Sequence, residues 1–108
     1  MLTKDELPEC PVATTVRLIG NKWKLLIIRD LLEGARRFGE LKKSVSGISQ
    51  KVLSENLRAL ESDGIISREV FAEVPPRVLY SLTDVGRSLL PVIDAMADWG
   101  ETYRSLAY

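Results

Sequence analysis

The stretch Ile48-Ser49-Gln50-Lys51-Val52-Leu53-Ser54-Glu55-Asn56-Leu57-Arg58-Ala59-Leu60-Glu61-Ser62-Asp63-Gly64-Ile65-Ile66 reads as one helix with both of its ends marked. Ser49 supplies a hydroxyl N-cap, Ile48 and Leu53 have the spacing of a hydrophobic staple, and Gly64 falls where a left-handed residue closes a helix. Leu53, Leu57 and Leu60 repeat at helical period on one side, while Gln50, Lys51, Ser54, Glu55 and Arg58 gather on the other. One side therefore packs. The other offers amide, hydroxyl, ammonium and guanidinium groups, donors that match base edges and phosphate oxygens.

Upstream, Arg36-Arg37-Phe38-Gly39-Glu40-Leu41-Lys42-Lys43-Ser44-Val45 predicts a shorter helix anchored by Phe38, Leu41 and Val45, and Ser46-Gly47 the turn that leads on from it. Before it, Asn21 caps a segment in which Trp23, Leu26, Ile27, Leu31 and Leu32 point inward, widened by Leu25 and Ile28. So broad an apolar arc places that helix at the centre of the core. Pro11 opens an earlier short helix through Val12, Val16 and Ile19, stopped by Gly20.

Downstream of Gly64 the period changes. Ile66, Arg68, Val70 and Ala72 alternate with Ser67, Glu69 and Phe71, and Val78, Tyr80 and Leu82 alternate likewise, which predicts two strands. Glu73-Val74-Pro75-Pro76-Arg77 joins them, the prolines marking a hairpin tip because they cannot sit in a paired central strand. Thr83 then caps a final helix, about residues 84–103, with Val85, Leu89, Val92, Ile93, Met96, Trp99, Gly100 and Tyr103 all apolar or small. Pro91 inside it should kink or divide it.

A chain of 108 residues is the size of one domain, here read as residues 1–108, with an N-terminal arm over 1–10. The formal charge is zero, but it is unevenly spread: residues 17–58 hold ten Lys or Arg against four acids, a net +6, whereas 1–16 total −2 and 59–108 total −4. The basic block coincides with the capped helix and the segment before it, the distribution expected of a nucleic-acid face on an otherwise neutral protein. The N-terminal segment lacks the apolar core of a signal peptide, and the longest aliphatic run, Leu25 to Ile28, is far short of the ~20 residues that span a bilayer. The expectation is a cytoplasmic protein without membrane contact. A single cysteine, Cys10, excludes an intrachain disulfide and fits a reducing compartment. With no histidine, no acid pair at a convincing spacing and no glycine-rich phosphate loop, no catalytic constellation, metal site or cofactor is expected.

Three short helices, a capped polar-faced helix, a β-hairpin and a long terminal helix form the order of a winged helix-turn-helix: mainly α, with a small β-hairpin wing over about 65–82. In that arrangement the second helix of the motif, here 49–62, enters the major groove of double-stranded DNA and the preceding one, roughly 38–45, crosses the backbone. Gln50 is then placed to read adenine, Arg58 to reach guanine or phosphate, and Ser49, Lys51 and Ser54 to do either. Arg36, Arg37, Lys42 and Lys43 fall to phosphates, which position the domain without reading sequence. Arg77 at the hairpin tip is the wing contact. Glu55, three residues before Arg58, repels phosphate and is either a reader of cytosine or a bystander, or forms a weak surface pair with Arg58. The alternative is a winged helix used for protein contacts without sequence-specific DNA binding, since fold alone does not fix function.

Taken together, Cys10-Pro11-Val12, Ile19-Gly20-Asn21-Lys22-Trp23, Arg37-Phe38-Gly39-Glu40-Leu41, Ile48-Ser49-Gln50-Lys51-Val52-Leu53, Leu60-Glu61-Ser62-Asp63-Gly64, Val74-Pro75-Pro76-Arg77-Val78 and Tyr80-Ser81-Leu82-Thr83, followed by Gly86 and Trp99-Gly100, resemble the HxlR family of bacterial and archaeal winged-helix transcriptional regulators. The resemblance runs from Cys10 to Tyr103. It implies a homodimer built by the terminal helices that binds a dyad-symmetric operator. The sequence supports a dimer independently: Leu89, Val92, Ile93, Met96, Trp99 and Tyr103 give the last helix more apolar surface than so small a domain can hide. The resemblance also implies that Cys10 is a candidate sensor of an oxidant or small-molecule electrophile, as in some members of the family, the alternative being a small, packed, inert cysteine, as in members that carry it without a known signal. A helix start favours the thiolate, while Glu6 and Glu9 oppose it.

Overall fold

The computed structural model describes all 108 residues, Met1–Tyr108. A one-turn 3₁₀ segment at Lys4–Glu6 precedes α1 (Pro11–Ile19), α2 (Lys22–Leu31), α3 (Phe38–Ser44) and α4 (Gln50–Ser62), then β1 (Ile66–Phe71), β2 (Arg77–Leu82), α5 (Asp84–Arg87) and α6 (Leu90–Leu106). This is a winged helix-turn-helix, mostly helical with a two-stranded antiparallel wing.

The limits of α4 follow from its sequence. Ser49 Oγ accepts the Val52 N–H at 3.1 Å. At the other end Gly64 takes φ +76°, where only glycine is unstrained. The Ile65 N–H reaches back to the Leu60 carbonyl at 2.9 Å and the Gly64 N–H to Glu61 at 3.0 Å, a Schellman closure that satisfies carbonyls the helix leaves unpaired. Leu53, Leu57 and Leu60 are buried as their spacing requires, together with the staple residue Ile48.

Around that face lies one cluster of thirteen buried apolar residues drawn from α1 to α4 and the base of the hairpin, including Ile27, Ile28, Leu31, Leu41, Val45, Ile66 and Leu82. Ile66 pairs with Leu82, Arg68 with Tyr80 and Val70 with Val78, so these six share one face of the ladder. Only its base is core; Val70, further out, is half exposed, because the hairpin leaves the body of the protein there.

Two local features depart from the pattern of the sequence, the start of the third helix and a buried acid, while the terminal helix divides near Pro91 as expected. The third helix begins at Phe38 rather than Arg36: Arg36 is extended, bridging the edge of β2 through Arg36 N–H to Tyr80 O at 3.0 Å and Tyr80 N–H to Arg36 O at 2.8 Å. An exposed sheet edge is thereby paired. The terminal helix over 84–103 is two helices, α5 and α6, with Pro91 in the first turn of α6, where its missing N–H costs nothing. Finally, α2 buries an acid within its apolar arc: Asp30 accepts from Arg29 Nε at 2.8 Å and from Ser44 Oγ at 2.7 Å, tying α2 to the end of α3. Burial disfavours its charge, but these two hydrogen bonds and the nearby positive charges of Arg29 and Arg36 outweigh that cost and hold the carboxyl below its ordinary value.

A second joint fastens the C-terminal helices to α4. Thr83 Oγ1 lies 2.7 Å from the Gly64 carbonyl and 3.0 Å from that of Ile65, and it caps α5 by accepting the Gly86 N–H at 3.1 Å. Gly86 itself is packed so closely on the Ile65 carbonyl that a Cβ there would overlap it.

Candidate nucleic-acid interface

Gln50, Lys51 and Arg58 project from α4 into solvent, and Ser54 is half-buried beside them. Their common side is the one the buried leucines leave free. Ser49 is exposed but its oxygen is occupied by the cap. Glu55 and Arg58 do not pair, since the four ion pairs of the chain are Arg29–Asp30, Arg36–Glu33, Arg77–Glu73 and Arg87–Asp84. Arg58 is thus free for another partner.

On α3 and its approach, Lys42 and Lys43 are exposed and unpaired. Arg37 is exposed too; its backbone N–H donates to Glu40 Oε1 at 2.8 Å, which starts the helix. Arg36 has other duties: beyond its backbone bridge, its guanidinium contacts Glu33 at 3.3 Å and its side chain is only 27% exposed. Among the four cations assigned to phosphates it is therefore the least available.

The wing is ordered by its own charges. Arg77 lies 3.0 Å from Glu73 and stacks over the Phe71 ring at 4.1 Å, so the hairpin tip is braced across its two strands. Arg37 and Phe38 at the start of α3 face Val74, Pro75 and Arg77 across a cleft of about 520 Å³. A second groove, about 500 Å³, runs between α4 and the hairpin and is lined by Ser54, Leu57, Arg58, Glu61, Arg68 and Tyr80. The wing thus borders two clefts, one shared with α4 and one with the start of α3, and each holds arginines together with one acid, Glu61 in the first and Glu73 in the second. Arg68 was not singled out from the sequence, because strand alternation assigns it to the inner face without showing that this face opens into a groove.

The six terminal-helix residues divide. Leu89, Val92 and Ile93 pack against the protomer's own core. Met96, Trp99 and Tyr103 are exposed, Trp99 by 69% and Tyr103 by 61%, with the two rings stacked at 5.4 Å. Leu106 continues their line, and Val12 and Val16 on α1 are exposed as well. Cys10 is the exposed residue preceding α1, its carbonyl accepting the Thr14 N–H at 2.9 Å. Four residues earlier, Glu6 accepts from the Thr3 hydroxyl and backbone N–H at 2.8 and 3.1 Å, bonds that hold its carboxyl below the ordinary value. No group of three or more His, Cys, Asp or Glu is placed to hold a metal, and no helix is long and apolar enough to cross a membrane.

Comparison with known proteins gives the same picture. Residues 18–108 match the HxlR-like helix-turn-helix family. The chain is 49% identical over 102 residues to YdeP, an uncharacterized HTH-type transcriptional regulator of Bacillus subtilis (strain 168), a match covering 94% of this chain and 80% of that one. Among solved structures it is similar to the redox regulator HypR in its reduced form, with TM-score 0.86 and 43% identity over 90% of this chain and 96% of that one. It is also similar to the reduced form of the transcriptional regulator YodB from B. subtilis, with TM-score 0.79 and 35% identity over 94% and 100% of the two chains. The chain belongs to the HxlR-like helix-turn-helix family and is a DNA-binding transcriptional regulator.

Proposed function

We propose that the whole of residues 1–108 works as one winged-helix unit, two copies of which join through α1 and α6 and present their α4 helices to successive major grooves of a dyad-symmetric operator, ~34–36 Å apart. The observation that carries this is the surface left uncovered on α6. That helix has 17 residues and none is buried. The chain exposes 7583 Å², against about 6,000 Å² expected for a monomer of its mass. The excess exceeds the ~800 Å² per partner of an ordinary stable interface. A Cα radius of gyration of 15.2 Å, against about 13 Å for a compact chain of this length, describes the same projecting arm.

In this reading Gln50 contacts a base edge and Lys51 a phosphate, with Ser49, Ser54 and Arg58 beside them on α4. Arg37, Lys42, Lys43 and Arg77 hold the flanking backbone, and Arg36 supports them from behind. Competition binding separates the roles. Lys51→Ala should weaken operator and random duplex alike, and Gln50→Ala should narrow the gap between them by roughly 1–3 kcal/mol. An unchanged gap removes Gln50 from the readers.

We also propose that Cys10 is the site through which an oxidant acts. Its support is the exposed thiol before α1 and the likeness to HypR, a redox regulator solved in oxidized and reduced forms. With one cysteine per chain, a disulfide needs two copies: two thiols form one S–S bond, and two electrons and two protons pass to the oxidant. Diamide treatment followed by non-reducing electrophoresis should give a covalent dimer that Cys10→Ser lacks. An oxidant response of operator binding that survives Cys10→Ser excludes this role.

A further inference from the structure

Arg58 on α4 and Arg68 on β1 line the groove between helix and wing, and neither has an ion-pair partner in the chain. Four other arginines, Arg29, Arg36, Arg77 and Arg87, are each held by a carboxylate. Ser54 adds a hydroxyl to the same groove and Tyr80 its half-buried side chain, with Leu57 as the buried floor. Glu61 is the one anionic group there. It stands seven residues beyond Ser54 on α4, about 10 Å further along the axis, and three beyond Arg58, with which it forms no ion pair, so two unpaired arginines face one acid and the Ser54 end lies farthest from it.

The geometry of duplex DNA says what passes through such a groove. Major and minor grooves are separated by a sugar-phosphate strand. A protein with a helix in the one and a hairpin against the other must straddle that strand where helix and hairpin meet. We infer that this groove is a saddle for one backbone phosphate, with Arg68 and Arg58 as its cationic sides and the Ser54 and Tyr80 hydroxyls as neutral donors. The inference rests on the reading that α4 enters the major groove. It assigns Arg58 to phosphate rather than guanine, and it makes Arg68, at the root of the wing, a DNA-binding residue. The wing then contributes through its base, where its arginine is free, as well as through its tip, where Arg77 is already engaged with Glu73 and Phe71.

The test is the salt dependence of affinity for a random-sequence duplex, read by fluorescence anisotropy, for the wild-type chain and for Arg68→Ala, Arg68→Lys, Tyr80→Phe and Lys51→Ala. Each phosphate neutralised contributes ~0.9 to the slope of log affinity against log salt. Arg68→Ala should lower the slope magnitude by that amount for each protomer engaged, and Arg68→Lys should restore it. Tyr80→Phe should weaken binding roughly tenfold or more at an unchanged slope, the loss of one hydrogen bond from a neutral donor to a charged acceptor. One outcome overturns the saddle while leaving the major-groove reading intact: Lys51→Ala lowers the slope and Arg68→Ala does not. A flat salt response of the wild-type chain would overturn the major-groove reading, and the saddle with it. Thermal melting of each variant shows whether the fold is kept, and Arg68→Lys gives a second reading should Arg68→Ala melt early.

Discussion

The two longest helices, α4 and α6, hide their apolar sides in different ways. α4 turns Leu53, Leu57 and Leu60 into the protomer and leaves Gln50, Lys51 and Arg58 in solvent. α6 lays Val92 and Ile93 against the body but leaves Met96, Trp99, Tyr103 and Leu106 in solvent along its remaining length. The difference shows that amphipathic spacing says a helix has a side to cover without saying in which molecule the cover lies. For α4 it lies within the same chain; for α6, in the proposed dimer, it lies in the second copy.

The sharpest way to break this contrast is to truncate one residue from each side. Leu53→Ala empties a fully buried position and should cost about 2–5 kcal/mol of folding stability, independent of protein concentration, as read by denaturant unfolding. Trp99→Ala should leave the protomer folded and instead weaken self-association roughly 30-fold, about 2 kcal/mol for an aromatic anchor, as read by sedimentation across a concentration series. Equal behaviour of the two variants would erase the distinction. The smallest effect concerns the polar tie inside the packed half. Ser44→Ala removes the 2.7 Å donor to Asp30 and should cost about 1.5 kcal/mol at neutral pH, the low end for a bond to a charged acceptor.

Acidification should show the same tie. Asp30 is held below its ordinary value in the folded chain, so folding favours the ionised form. That contribution is complete above the unfolded-state value of about 3.9 and is lost as pH falls through the lower folded one. Unfolding curves taken downward from pH ~5 should therefore lose stability below about 4, and Asp30→Asn should lose less over the same range.

Much of the packed half was legible in the sequence because local signals agreed there. Ser49 and Thr83 by their capping hydroxyls, and Gly64 and Pro91 by their backbone preferences, each mark a helix end locally, and the hairpin follows from a change of period. What was not legible depended on residues far apart in the chain. The burial of Asp30 requires Ser44 to arrive fourteen positions later, and the bridge that makes Arg36 extended requires Tyr80. The division of Leu89, Val92 and Ile93 from Met96, Trp99 and Tyr103 reflects how far the body reaches along α6, which no periodicity records. The groove beside Arg68 is likewise a product of two elements meeting.

The joint at Thr83 and Gly86 has a mechanical consequence. It seats the root of the arm directly on the closing turn of the reading helix, at the carbonyls of Gly64 and Ile65. α6 extends 17 residues, an arm of about 25 Å, so a tilt of five degrees at its root would move its far end by about 2 Å. In the proposed dimer that corner is the gauge block of the assembly. The span between the two α4 helices would be calibrated at a glycine that admits no methyl group, 36 positions along the chain from Gln50.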